Sequence, residues 1–244
     1  VKFYAQFADV VVLARELNME QVAAIHKIIV DENICGPKGE PLRIEMFCHG
    51  ALCMAISGKC YLSLHQLGRS ANRGECMQVC RRGYIVKDRE SDIELEVDNK
   101  YIMSPKDLKT IRFMDKMIEA GVRVFKIEGR ARGAEYVSTV AGCYNEALEA
   151  YLAGEFTEEK KDGWDERLKT VFNRGYCTGY IGGAEELVQS QFPDNRGQFL
   201  GRMEINNRRF STVGTDIGIK DGISFFQGDE KKGGLSIQNT GTCI

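Results

Sequence analysis

The chain is 244 residues long, 43% hydrophobic, and carries a formal net charge of −2. That length holds one large domain or one and a half ordinary ones, with enough apolar content to bury a core. A near-neutral balance excludes a global positive field for nucleic acid, and no apolar run nears the ~18 residues of a membrane span.

The chain opens without an initiator Met and inside an apparent element, so it reads as a fragment of a longer protein. Residues 7–14, FADVVVLA, form a continuous apolar run, as expected of a strand buried on both faces. Asn18 is a plausible N-cap for a helix whose Val22, Ile25, Ile28 and Ile29 mark one face, leaving His26 on the solvent side. Cys35 lies in the CGPKGEP loop as a bystander. Residues 42–49 alternate as a strand, with Cys48 turned to the core. Glu45 and His49 share the other face near its carboxyl end, where α/β barrels place working groups.

Residues 84–100 read as a polar hairpin and 101–103 as a strand. SPKDL then starts a helix, with Ser104 at N-cap and Pro105 at the first position, ended by Gly121. Residues 122–127 are a strand that delivers Lys126, Glu128 and Arg130 at its end. Residues 134–152 are a long helix stopped by Gly154, with Cys143 in its core face. FTEEKKDGWDE reads as a charged hinge, followed by a short helix. Further strands are expected at 200–206, 217–219, 223–227 and 235–238, between Gly and Asp turns.

The alternation of strand and helix predicts parallel strands with right-handed crossovers. Four strand candidates fall short of a closed barrel. The expected architecture is α/β. Residues 1–185 form a partial or truncated TIM-like barrel with a Cys-rich loop at 53–81, and 190–244 form a small, shortened β-rich module. A smaller doubly wound sheet is the alternative.

The chemistry concentrates in residues 45–81, which hold five of nine cysteines and two of three histidines. Cys53, Cys60, Cys76 and Cys80 are separated by six, fifteen and three residues, among Gly, Ser, Asn and Arg. Loops of this composition can turn several thiolates to one point, and soft thiolates suit zinc or an iron–sulfur cluster. Structural zinc prefers two short knuckles, which only Cys76 and Cys80 approach, so the spacing favours iron–sulfur and leaves zinc open. Buried inert thiols are the bland alternative. An odd cysteine count with no visible signal peptide argues against disulfides and for a reducing cytoplasm.

The segments IEMFCHGALCMAISGKC, RSANRGECMQVCR, YIMSPKDL, FKIEGR and NRGY together resemble the peptidase U32 family, also called collagenase-like proteases. Within it they are most similar to the branch of prephenate-dependent tRNA uridine hydroxylation proteins. Relatives of that branch hydroxylate a ribosomal RNA cytidine or the ubiquinone ring without molecular oxygen. The resemblance implies a 4Fe–4S cluster on Cys53, Cys60, Cys76 and Cys80. It also implies conversion of a tRNA wobble uridine to 5-hydroxyuridine, with prephenate as donor.

Such a reaction needs cations for an anionic donor or phosphate, and Arg69, Arg73, Arg81, Lys126 and Arg130 are candidates, with Asn72 as a neutral donor. Glu45, His49 and Glu128 are the candidates for moving protons, His49 first near neutral pH. RNA would be held through the loop's basic patch, where Arg69, Arg73, Arg81 and Arg82 outnumber Glu75. Neither G-x-S-x-G nor H-E-x-x-H occurs, and a cluster-bound Cys53 cannot serve His49 as a free nucleophile. Proteolysis is thus the second reading, and a non-catalytic, cluster-bearing RNA-binding subunit the third.

Overall fold

The computed structural model describes residues 1–91, 93–95, 100–130, 132–184, 186–204, 209–210, 217–228 and 230–238. Cys243, with residues 92, 96–99 and 205–206 of the expected hairpin and strand, lies outside them. The described residues fall into two compact units, Val1–Asn195 and Arg196–Ile244.

After one helical turn, α1 (Lys2–Ala5), comes β1 (Val10–Val12). It is shorter than the apolar run that contains it. β1 lies at the edge of the sheet, so Phe7 and Val12 remain 69% and 48% exposed rather than buried on two faces. Helix α2 (Met19–Asp31) starts at Asn18, whose side chain accepts the Gln21 amide at 2.9 Å. The Gln21 side chain accepts the Asn18 amide in return. This reciprocal box satisfies two donors that a helix start leaves open. Val22 and Ile29 face the core while Ile28 does not. His26 is not a free solvent residue: its ring fills the space beside Gly121, where a Cβ would come within 2.0 Å of Cγ.

Strand β2 (Arg43–Ala51) organises the sheet. Ile44, Met46 and Cys48 point into the core, each at most 2% exposed. The following loop contains α3 (Leu62–Leu67) and two short 3-10 turns, then the β3 (Val86–Lys87) and β4 (Glu94–Leu95) hairpin. Residues 101–103 form a turn, and the helix expected at SPKDL is instead β5 (Asp107–Lys109). Tertiary bonds claim that backbone: Lys106 N–H donates to Leu187 O, Asp107 N–H to Gly175 O, and Thr110 N–H to Cys48 O. Ser104, wholly buried, caps no helix; its hydroxyl meets the Arg81 guanidinium.

Helix α4 (Met114–Glu119) leads through Gly121 into β6 (Val122–Ile127), and then α5 (Ala134–Leu152) covers the sheet. Its buried residues Tyr136, Val140, Cys143, Tyr144 and Ala147 recur at helical spacing. The supposed hinge is helix α6 (Glu158–Thr170), capped by the Thr157 hydroxyl. Acidic residues in its first turn and basic ones in its last suit the helix dipole, while Trp164 and Leu168 fix it to the core. Strand β7 (Tyr176–Cys177) follows.

β1 and β6 run parallel to β2, β5 runs antiparallel against the end of β2, and β7 runs parallel to β5. The fold is therefore mixed α/β with a five-stranded mixed sheet, and the described strands close no barrel. The all-parallel expectation fails at β5, because residues 104–110 return along the end of β2.

The second unit contains β8 (Met203–Glu204) paired with β9 (Arg209–Phe210), and β10 (Gly222–Gln227) paired with β11 (Glu230–Ser236), both antiparallel. The short strand expected at 217–219 is a turn approach to β10.

Candidate functional site

The site begins where β2 ends. Gly50 has φ +106°, and a Cβ there would lie 2.3 Å from the Glu128 carbonyl oxygen, so only glycine lets the chain pass β6 into the cysteine loop. Polar clamps then hold that loop. Ser57 donates its amide and hydroxyl to the Glu16 carboxylate at 2.5 and 3.1 Å. The Cys60 amide donates to Asn72 Oδ1 at 3.3 Å, and the Met77 amide to Ser63 Oγ at 3.1 Å. Arg130 reaches the Gly74 carbonyl at 3.5 Å. Val79, 1% exposed, is the loop's apolar plug.

Cys53, Cys60 and Cys80 are half-buried, Cys76 is exposed, and all four thiols are free. Burial pushes the Cys80 thiol up; Arg81 pulls it down, and Cys53, Cys76 and Cys60 push it up again. The four are thus electrostatic neighbours. Among the described residues, however, no three His, Cys, Asp or Glu side chains are grouped so as to hold a metal ion.

Alongside the loop lies a buried polar site. Asp107 Oδ1 meets Arg174 Nη1 at 3.2 Å and Arg81 Nη2 at 4.0 Å, with all three side chains under 10% exposed. Arg81 also donates to Ser104 Oγ, Pro105 O and Leu52 O. Its guanidinium therefore fastens the loop to the sheet instead of standing free for a substrate, which corrects its expected role. Burial, then the neighbouring Arg174, pushes the Arg81 guanidinium below its usual range.

His49 is 1% exposed and ringed by Tyr136, Tyr144 and Tyr176, with centroids 5.4–6.1 Å away. Burial, helped by Lys109, pushes its pKa down to about 3, so it stays neutral near pH 7 and does not titrate there as expected. The Tyr144 hydroxyl gives its one proton to Cys48 O at 2.7 Å, which makes the 3.4 Å contact with His49 Nδ1 a bond donated by the imidazole. Nε2 is then a bare acceptor, buried and without a partner among the described residues.

The remaining expected residues disperse. Glu45 pairs with Lys126 at 2.9 Å and takes no part with His49. The Glu128 carboxylate accepts the Arg130 amide at 2.9 Å, and the Glu128 amide donates to His49 O. Arg69 lies 4.0 Å from Glu75; Asn72 holds the loop; Arg73 is exposed. Sequence reasoning missed Asp107, Arg132, Arg174 and the tyrosine ring. The one available signal was Tyr136 and Tyr144 on the buried stripe of α5, where a tyrosine hydroxyl requires a partner.

Residues 1–190 match the model of Peptidase family U32. The chain is 69% identical over 180 residues to a protein named "Collagenase" from Porphyromonas gingivalis, covering 74% of this chain and 44% of that protein. It is 36% identical over 191 residues to "tRNA hydroxylation protein P1" of Bacillus subtilis, covering 77% and 43%. A 23S rRNA 5-hydroxycytidine synthase of Escherichia coli is 42% identical over 142 residues, covering 58% and 20%. The chain spans less than half the length of each of these relatives. No solved structure matches it.

Proposed function

Because this chain belongs to peptidase family U32, we propose that it serves oxygen-independent hydroxylation of RNA in a reducing cytoplasm, converting a tRNA wobble uridine to 5-hydroxyuridine with prephenate as donor. The observation that carries this reading is the set of four free thiols on one clamped loop, with Cys53, Cys60 and Cys76 near enough to act on Cys80.

Cys53, Cys60, Cys76 and Cys80 would hold a 4Fe–4S cluster. In such a cluster each thiolate binds a different iron, so the thiols need not converge on one ion. When bound, the cluster would supply redox or Lewis-acid chemistry. Replacing C5–H by C5–OH oxidises the base by two electrons, so the donor must lose that oxygen and take up two electrons. Arg130, at the end of β6 and bonded to the loop at Gly74, is suited to hold a donor carboxylate. Glu128 takes the proton role, since neutral His49 is fit to accept a hydrogen bond but not to exchange a proton near pH 7. Arg69 and Arg73 would grip RNA phosphates, and binding should weaken as salt rises.

Mass spectrometry of tRNA from cells lacking the full-length protein tests the reading. Loss of 5-hydroxyuridine is expected; wild-type levels without a redundant pathway would sink it. The 69% identity to a protein named "Collagenase" favours a second reading, peptide hydrolysis. Against it, the described residues contain no hydrogen-bonded Cys–His pair, and His49 is committed to Tyr144. A cluster-free protein that cleaves gelatin would establish it.

A further inference from the structure

The buried polar site holds more cations than its carboxylates can match. Arg174 and Arg81 share the one Asp107 carboxylate. Arg132 joins them through Phe172, whose ring centroid lies 3.6 Å from the Arg132 Cζ and 4.8 Å from the Arg174 Cζ. Among the described residues the Arg132 guanidinium has no hydrogen bond and no ion pair; its contacts are the faces of Phe172 and, at 5.9 Å, Tyr136. Glu128, the other carboxylate nearby, accepts the neutral backbone amide of Arg130. The site therefore gathers Arg81, Arg132 and Arg174 around Asp107, with Glu128 nearby.

Keeping unmatched positive charge out of water is costly unless an anion arrives to share the site. Stacking on an aromatic face holds a guanidinium in place while its N–H groups stay at the rim, open to an acceptor. We propose that Arg132 and Arg174, beside the Arg81 clamp, form a subsite for the carboxylate of a small organic acid. A planar carboxylate matches the guanidinium fork in two parallel bonds. Size also favours a small acid over a polymer phosphate. Arg174 and Arg81 keep only 5% and 9% of their side chains exposed, which leaves an RNA backbone no approach to them. Arg132, half-buried, is the entrance. As the donor's carboxylate site this rests on the hydroxylation reading; as an anion site it rests on the geometry.

The test is isothermal titration of the anaerobically purified full chain with prephenate, phenylpyruvate and inorganic phosphate. Both organic acids should bind, and Arg132→Gln should weaken them about ten-fold or more, the usual worth of a charge-assisted hydrogen bond. Because the Arg132 guanidinium makes no hydrogen bond among the described residues, the variant should keep the wild-type thermal midpoint. Arg132→Lys, which keeps charge and loses the fork, should recover only part of the affinity. Equal binding by wild type and Arg132→Gln, or no binding of either acid, overturns the proposal. So does Arg132-dependent binding of phosphate tighter than that of the acids. If tRNA hydroxylation is absent while Arg132-dependent acid binding persists, the reaction fails and the subsite stands. If hydroxylation stands and Arg132→Gln leaves the KM for prephenate unchanged, the subsite alone fails.

Discussion

The β2–α5 core and the cysteine loop are held by different forces. Around β2, Ile44, Met46 and Cys48 pack against Val140, Cys143 and Ala147 in one apolar cluster, and the strand pairs on both sides. In the loop, Glu16, Asn72, Ser63, Arg130 and Arg81 each make one or a few bonds to a particular backbone group or side chain. Core stability is spread over area, so no single contact decides it. Loop geometry depends on a few bonds, so single substitutions can open it while the core stays folded. A ligand that binds all four thiols would replace those weak clamps with strong ones.

The contrast breaks most severely at the seam between the regions. Asp107→Ala removes the one carboxylate between Arg174 and Arg81, both nearly buried. Stranding buried charges typically costs about 3–5 kcal/mol. Chemical denaturation should show that loss, and both regions should be affected together. A change below ~1 kcal/mol would mean that solvent or another group already compensates the arginines.

Acid sharpens the comparison from the core side. The folded pKa of His49, about 3, lies below its unfolded value near 6.5. Its contribution is therefore complete above about pH 6.5 and lost as pH falls towards 3, by up to ~1.4 kcal/mol per unit. At pH 5 the protein should have lost about 2 kcal/mol. His49→Gln, similar in size and able to bond Tyr144, should flatten that limb. Some slope should remain, since burial and Arg123 also lower the His26 pKa. An identical acid limb in the variant would show that His49 is not the responsible group.

What the sequence disclosed follows the range of the forces involved. The start of α2 at Asn18, the end of α5 near Gly154 and the span of β6 were legible because caps, glycines and apolar periodicity are local. SPKDL misled because Ser and Pro imitate a helix start, while the bonds that make it β5 come from Leu187, Gly175 and Cys48. The start of α6 was hidden by its charge, so its helix was expected only after the charged segment; Trp164 and Leu168 are its buried apolar residues. The thiol loop stood out by composition alone. The Asp107–Arg174 pair spans 67 positions and leaves no local trace. The burial of His49 depends on tyrosines from α5 and β7.

The smallest effect tests the loop alone. Glu16 holds Ser57 by two hydrogen bonds, and Ser57 lies between Cys53 and Cys60. Glu16→Ala removes both. Since the Ser57 groups can turn to water, the loss should be about 1 kcal/mol rather than the full cost of a buried orphan. The core does not use this contact, so the denaturation midpoint should stay within experimental error of wild type. Opening should instead appear locally, as amide exchange roughly five-fold faster at the Ser57 amide. Substituting Ser57→Ala alone should give a smaller effect, because its amide still reaches Glu16. Unchanged exchange in Glu16→Ala would mean that Asn72 and Arg81 suffice to hold the thiol loop. A large fall in the global midpoint would mean that loop and core are one cooperative unit rather than two separately held regions.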